Sequence, residues 1–269
     1  MSSVSAYPRV GPLLREWRNR RRRTQLDLAL DAGISARHLS FVETGRSRPS
    51  PEIVLLLAER LEVPVRERNH LLLAAGYAPT IPELSLQDSE LAPVREAIEL
   101  ILTGHEPYPA VVVDRGWNMV AVNPTMAALV AGIDPGLLQA PVNVMRVGLH
   151  PDGLAGRVIN VGEVRAYFLG RLERQVAITG DEDLAALLEE VTGYPAPEHD
   201  PDPAGETAVG NIVTPLIRMR VPDGGELSLF ATVATFGTAI EVTTSELSIE
   251  LAFPADAASA QVLRNLPRG

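Results

Sequence analysis

The sequence predicts two domains: an all-α head, then an α+β body built on an antiparallel sheet. Three observations lead there. Apolar positions recur at helical spacing through the early part of the chain and switch to strand-like runs near residue 110. A proline-rich polar stretch, GYAPTIPELSLQDSELAP, separates the two patterns. Charge changes sign across it, with 13 arginines against 8 acids up to residue 78 and 11 arginines against 26 acids after it. At 269 residues, each part is long enough to bury its own core. The expected division is residues 1–78 for the head, 79–93 for the linker and 94–269 for the body.

In the head, TQLDLALDAGISARHLSFVETGRSRP reads as helix, tight turn, helix and glycine stop. Thr24 is a good N-cap. Leu28, Ala29 and Ala32 share one face. Gly33 allows the left-handed conformation that ends the first of these helices. Ile34 follows as an apolar plug, and Ser35 caps the second. Leu39 and Val42 point back to the core. Gly45 ends the second helix, and Pro49 with Pro51 prevents its resumption. This geometry lays one helix into the major groove of DNA. The outer face then carries Ala36, Arg37, Ser40 and Phe41, with His38 and Thr44 beside them. Arg37 suits a bidentate guanine contact, and Ala36 and Phe41 suit thymine methyl groups. Arg46 and Arg48, just past the helix, are placed for phosphate. The arginine run at residues 20–23 reads at least partly as a solvated cluster. The rival reading is a helical hairpin that binds only protein.

The head resembles the XRE-type helix-turn-helix of phage repressors, over residues 13–78 and including PSPEIVLLLAERLEVPVRERNHLLLAAGYAP. The resemblance implies short helices near residues 12–21, 25–32, 36–43, 51–61 and 65–75. It also implies that Gln25 sits against the DNA backbone and that Glu43 is structural. A basic head on an acidic body suits a phosphate-binding domain joined to one that avoids nucleic acid.

In the body, a helix carrying Val94, Ile98, Ile101 and Leu102 follows the linker. AVVVD is a short buried strand, and WNMVAVN alternates like a second strand after the Arg115-Gly116 turn. Asn123-Pro124 starts a short helix with Met126, Ala127 and Val130. Longer helices are expected over residues 161–177 and 181–191, the second capped by Asp181. An acidic loop spans residues 192–206. Strands at 211–221 and 226–236 are joined by Asp223-Gly224-Gly225, a hairpin signal. Pro215 makes the first of them an edge strand or a bulged one. A last strand lies within residues 246–253.

Two strands, then helices, then three strands is the chain order of a PAS-like domain. The stretches PAVVVDRGWNMVAVNP, NVMRVGLHPDGLAGRVIN, GEVRAYFLGRLERQ, DLAALLEEVTGYP and TVATFGTAIEVTTSELSIELAFPAD resemble the C-terminal domain of MmyB-like transcription regulators. With the helix-turn-helix, the resemblance covers residues 10–265. It implies DNA binding paired with a PAS-like ligand-binding domain and leaves the ligand's identity open.

Candidate pocket walls are Val111, Val113, Met119, Met126, Leu129, Met145, Val164, Phe168, Leu229, Val233 and Phe236. Aromatic residues are only 4% of the chain, so flavin or haem stacking partners are not evident. An apolar slot with one polar end suits a long aliphatic molecule such as a fatty acid. Arg146, His150 and Asn160 form the candidate polar end, with Arg146 suited to a carboxylate; Asn123 is a further candidate contact. Each has a plainer reading: Arg146 pairs with an internal acid, His150 belongs to a turn, and both asparagines cap helices. Trp117 reads as core.

Zero cysteine excludes disulfides and thiolate metal sites, and the five histidines show no ligand spacing. No nucleophile elbow, phosphate loop or dinucleotide fingerprint is present. No run of about 18 apolar residues or signal-peptide core is found, so a cytoplasmic protein without a membrane span is expected. The expected function is that of a non-enzymatic, homodimeric transcription regulator without a cofactor. It binds operator DNA and a small apolar ligand that modulates that binding. The rivals are a constitutive repressor with a dimerisation-only C-terminal domain, and an enzyme or lipid carrier with an auxiliary DNA-binding module.

Overall fold

The computed structural model describes residues 10–195, 216–221, 225–237 and 241–266. The chain divides into two compact units. One comprises Met1–Leu84 with Ala239–Ser245, the other Ser85–Thr238 with Glu246–Gly269.

The first unit holds the five helices that the phage-repressor resemblance implies: α1 (Val10–Arg20), α2 (Gln25–Asp31), α3 (Ala36–Glu43), α4 (Pro51–Arg60) and α5 (Val65–Ala74). Their starts follow from local chemistry. The Thr24 hydroxyl accepts from the Asp27 amide, and the Asp27 carboxylate accepts from the Thr24 amide, so two of α2's unsatisfied N–H groups find partners. Ser35 caps α3 through the His38 amide at 3.1 Å. Ser50 caps α4, whose first turn accommodates Pro51. Gly33 and Gly45 adopt φ of 65° and 72° where the chain leaves α2 and α3. Leu14, Leu28, Leu39, Leu57, Leu61, Leu71 and Leu72 are fully buried in one core.

Inside that core lies an ion pair. Arg18 of α1 grips Glu43 of α3 through two parallel bonds of 2.7 and 2.9 Å. The hydrogen bonds that Arg18 donates to Glu43 raise the Arg18 pKa, outweighing the opposing effect of burial. The arginine run reads differently here from a solvated cluster. Arg21 donates to the carbonyls of Leu61 and Glu62, and Arg23 donates to the carbonyl of Arg60 and to Asp31. These carbonyls end α4 and have no partner within the helix, so cations satisfy them.

The segment after α5 is held in place rather than loose. The Asn69 amide donates to the Ile81 carbonyl and accepts from the Ile81 amide. Arg66 pairs with Glu83. Glu241, buried and distant in sequence, accepts from the amides of Leu84, Thr243 and Thr244 and from the Thr244 hydroxyl. Burial opposes its charge, yet these donors hold its pKa below the ordinary range.

The second unit begins with α6 (Ala92–Gly104), β1 (Ala110–Val113) and β2 (Met119–Val122), then α7 (Pro124–Leu129), α8 (Val144–Leu149), α9 (Val161–Thr179) and α10 (Glu182–Thr192). β3 (Ile217–Arg220) and β4 (Glu226–Thr235) follow. The chain passes through α11 (Val242–Ser245), which counts with the first unit, into β5 (Ser248–Pro254) and α12 (Ala257–Asn265). The five strands form one antiparallel sheet in the order β2-β1-β5-β4-β3. α6 covers one face, where Ile98 and Leu102 meet Ala110, Val112 and Ile249. On the other face, Val111 and Val113 join Leu172, Leu187 and Val191 of α9 and α10. With both faces covered, β1 is buried at every position, which explains its unalternating sequence. The strand and helix order is consistent with a PAS-like fold.

Several boundaries differ from the sequence expectation. Trp117 is not in a strand: it adopts φ of 65° in a turn closed by Asp114, whose Oδ1 accepts from the amides of Gly116 and Asn118. α8 and α12 lie outside the sequence expectation: α8 is only six residues long, and α12 opens on small residues, Ala257, Ala258, Ser259 and Ala260, that carry little apolar signal. Residues 211–215 and the loop at 196–206 fall outside the described residues.

Gly11 carries a specific prediction. A Cβ there would lie 2.5 Å from the Val42 carbonyl oxygen and 2.6 Å from that of Glu43. Alanine usually improves a helix interior by about 1 kcal/mol over glycine. Gly11→Ala instead forces α1 off the end of α3, and the net loss should be about 1–3 kcal/mol. Urea unfolding of the full chain, read by Trp17 fluorescence in a Trp117→Phe background, measures it.

Candidate nucleic-acid interface and ligand pocket

The DNA-reading candidates gather around α3. Leu39, Val42 and Glu43 are buried against the core, so the helix's remaining faces are left outward. Arg37 and Arg46 are exposed. Phe41 lies close to both, with guanidinium carbons 5.3 Å and 5.9 Å from its ring centroid. Neither guanidinium forms a hydrogen bond or ion pair among the described residues. Two cations are therefore held near one aromatic ring by cation–π attraction, which leaves their N–H donors available. Ala36, His38 and Ser40 are half-buried along the same helix. The Thr44 hydroxyl is turned back onto the Ser40 carbonyl at 2.7 Å.

Gln25 and Arg48 are placed by other bonds. The Gln25 amide donates to Glu43 at 2.8 Å, so the buried carboxylate that holds Arg18 also fixes this side chain at the start of α2. Arg48 donates to the carbonyls of Ala75 and Gly76 and stacks on Tyr77 at 4.6 Å. Its donors serve the C-terminal end of α5, which leaves Arg46 as the arginine past α3 with donors available for phosphate.

The second unit contains a cavity of about 150 Å³ between the sheet and its covering helices. Met126 and Phe168 line it as the sequence suggests, together with Val111, Met119 and Val164. Val113 and Met145 lie in the neighbouring core, Leu129 and Leu229 in the cluster beneath α12, and Phe236 on the α6 side of the sheet. Val233 shares the cavity face of β4 by alternation, but it is 45% exposed because it lies beyond the covering helices. The unusual segment NVMRVGLHPDGLAGRVIN contributes through its apolar residues: Val144, Val147, Gly148, Leu154 and Val158 are all in the wall.

The polar residues of that segment are engaged elsewhere. Arg146 forms a bidentate pair with Glu190 at 2.8 and 2.7 Å. Glu190 also accepts from the Tyr194 hydroxyl, and its pKa is lowered chiefly by Arg146. Burial, followed by the bond to Glu190, pushes Tyr194 up to about 12. His150 accepts from the Asp152 amide within its turn and packs edge-on against Tyr194. Asn160 is buried, donates to Glu163 and the Leu216 carbonyl, and accepts from the Arg218 amide, fastening the start of α9 to β3. Asn123 caps α7 through the Met126 amide, accepts from the Ala110 amide and donates to the Tyr108 carbonyl.

The charged group in the cavity wall is one that sequence reasoning missed, Glu250 of β5. It lies directly across from Val111 on β1 and Val233 on β4. Arg171 of α9 holds it with bonds of 3.0 and 2.6 Å. Burial works against the Arg171 charge, but the bonds to Glu250 raise its pKa overall. Arg171 also stacks over Trp117 at 4.6 Å, and the Trp117 indole N–H donates to Gln175 at 2.7 Å. The available signal was a glutamate inside SELSIELAF, a strand that both neighbours and both covering layers bury.

The chain joins a helix-turn-helix unit to a domain of a transcription-regulator family. Residues 14–68 match the helix-turn-helix family. Residues 94–266 match the MmyB-like transcription regulator ligand binding domain, and the chain belongs to that family. A Bacillus subtilis (strain 168) protein, the uncharacterized HTH-type transcriptional regulator RghRB, is 38% identical over 81 residues, covering 30% of this chain. The chain spans 56% of that relative's length. A solved RNA-binding light-oxygen-voltage receptor aligns with 94% of this chain and 60% of its own at 14% identity, with a TM-score of 0.24. Among the described residues, no acidic or histidine cluster could hold a metal and no helix is long and apolar enough to cross a membrane.

The three arginines around α3 should separate by salt dependence. Arg46→Ala should lower the slope of log affinity against log salt by about 1, as loss of one phosphate contact does. Arg48→Ala should leave the slope unchanged and lower the melting temperature of the first unit. Arg37→Ala should cost about 1–3 kcal/mol at one base position if it reads guanine. A uniform loss across sequences would assign Arg37 to phosphate. Fluorescence anisotropy on a selected operator and its single-base variants distinguishes these outcomes.

Proposed function

We propose that the protein is a ligand-responsive regulator that binds operator DNA as a homodimer, with α3 in the major groove of each half-site. The half-sites would lie about one helical turn, roughly 34–36 Å, apart. Arg37 and Phe41 meet base edges, and Arg46 meets the backbone.

The ligand of the second unit is proposed to be a small apolar molecule, best a long aliphatic one with a single polar end, such as a fatty acid. One observation carries this reading: of the seventeen described residues lining the cavity, only Glu250 is charged. A dry cavity of this size already holds a small apolar molecule. Three of the chain's five methionines, Met119, Met126 and Met219, are in the wall. Their unbranched side chains re-pack at low cost, which suits a wall that yields to a longer chain. No cofactor is proposed.

The ligand is proposed to modulate DNA binding. Ala231 of β4 and both Glu250 and Ala252 of β5 line the cavity. The segment joining those strands is counted with the DNA-binding unit. A ligand that favours one arrangement of β4 and β5 therefore has a covalent route to the head.

Lipid extraction and mass spectrometry of the purified protein should yield an aliphatic molecule. Adding it to stripped protein should change affinity for an operator selected from random DNA by about 5–150-fold. Equal affinities would leave a constitutive regulator.

A further inference from the structure

We propose that two copies of the chain pair through the α6 side of the sheet, each seating its α6 on the open half of the other's sheet. This rests on the homodimer proposed above and names the surface that forms it.

That face is half covered. α6 packs over β1 and β5, where Ala110, Val112 and Ile249 are almost fully buried. Beyond β5 the burial falls away. Met219 of β3, Ala231 of β4 and Ala252 of β5 line the cavity, so by alternation Arg218, Arg220, Phe230, Thr232 and Phe253 point to the α6 side. Phe230 and Phe253 are half-buried, and Thr232 and Arg220 are exposed. The two phenylalanine rings stack at 5.4 Å, and Phe253 meets His105, just past α6, edge-on at 4.7 Å. An aromatic floor thus lies beside the helix and below it by a helix's thickness, about 10 Å. Strands are about 4.8 Å apart, so the floor over β4 and β3 is about as wide as a helix.

The outer face of α6 complements this floor. Ile98 and Leu102 face the helix's own sheet, which leaves Glu96, Leu100 and Thr103 on the opposite side. Leu100 is 75% exposed, the most of any large apolar side chain among the described residues. Glu96 and Glu99 beside it are exposed and form no hydrogen bond or ion pair among the described residues. Arg95 is committed to the carbonyls of Leu86 and Asp88, so the charge that α6 presents is acidic. On the floor, Arg218 and Arg220 outnumber Glu226, which stands across from Arg220 without an ion pair.

A two-fold axis between the helices satisfies both halves at once. The two α6 helices then lie side by side between two sheets. Each Leu100 meets the partner's Phe230 and Phe253, and Glu96 and Glu99 meet the partner's Arg220. The remainder of the body is acidic, with 11 arginines against 26 acids after residue 78. Two such bodies repel, which favours a contact that sets glutamates opposite arginines.

Charge reversal in the full-length protein tests the pairing, read by light scattering and native mass spectrometry. The wild type should be a dimer. Glu96→Arg with Glu99→Arg sets arginines against Arg220, and Arg220→Glu sets acids against acids. Each variant alone should dissociate about tenfold or more readily than the wild type. Mixed, they should form a heterodimer of wild-type strength, because every α6–β3 contact then joins opposite charges. Leu100→Glu should also give monomers, and it changes no residue of the sheet. Variants that dimerise as strongly as the wild type, or a mixture that stays monomeric, overturn this surface while a homodimer formed elsewhere stands. A wild type that is monomeric in solution overturns the surface, and one copy per operator overturns the homodimer as well.

Discussion

A carboxylate on the central strand of a sheet covered on both faces constrains everything around it. Glu250 sits on β5, with hydrogen-bonded strands on each side and helices above. Burying a charge there is unfavourable unless a partner of opposite sign is brought to it with good geometry. That requirement fixes the rotation of α9, which must deliver Arg171. It also fixes the Trp117 turn, whose indole forms the floor beneath the guanidinium and is steadied by Gln175 from the same helix. Replacing the pair by apolar side chains of similar volume would fill the space with less desolvation.

The two halves of the chain differ in how openly the sequence declares them. In the head, information is local: Thr24, Ser35, Gly33 and Gly45 each determine the conformation of their immediate neighbours. The helices therefore fall where these residues place them. The body is governed by pairings between distant segments. Asn123 and Asn160 look like ordinary helix caps in sequence; in the fold Asn123 caps α7 and also holds β1, whereas the Asn160 side chain makes no cap bond to α9 and instead holds β3. The residues 143–160 illustrate the limit best. Their charged and polar members drew attention, but the cavity takes its wall from the valines, leucine and glycine between them. Polarity at a site is read easily from sequence, whereas the direction in which a short helix such as α8 turns its faces is not. Glu250 was missed for the converse reason, since a lone glutamate in an apolar strand announces its partner only when α9 is folded over it.

Arginine serves several physical purposes within the head, and composition alone merges them. Arg18 neutralises a buried carboxylate, and Arg21 and Arg23 close the open carbonyls at the end of α4. Arg48 does the same for α5. Arg37 and Arg46 keep their donors outward beside Phe41. A basic surface potential attracts the phosphate backbone at long range, but contacts at short range depend on which guanidinium groups are not already committed to the fold. The always-charged planar fork of arginine suits both roles, and a lysine ammonium could not form the bidentate bond to Glu43.

The Glu241 anchor has a bearing on how the molecule is made. The head's hydrogen bonding is completed by a residue that follows most of the body in the chain. As the chain leaves the ribosome, α1 to α5 are synthesised first, yet the Leu84 amide must wait for Glu241. The head is thus finished late, after β4 has been translated and shortly before β5. A nascent or prematurely terminated chain would expose a helix-turn-helix whose final stitch is missing, and a DNA-binding fragment cut out at the end of the linker would inherit the same gap.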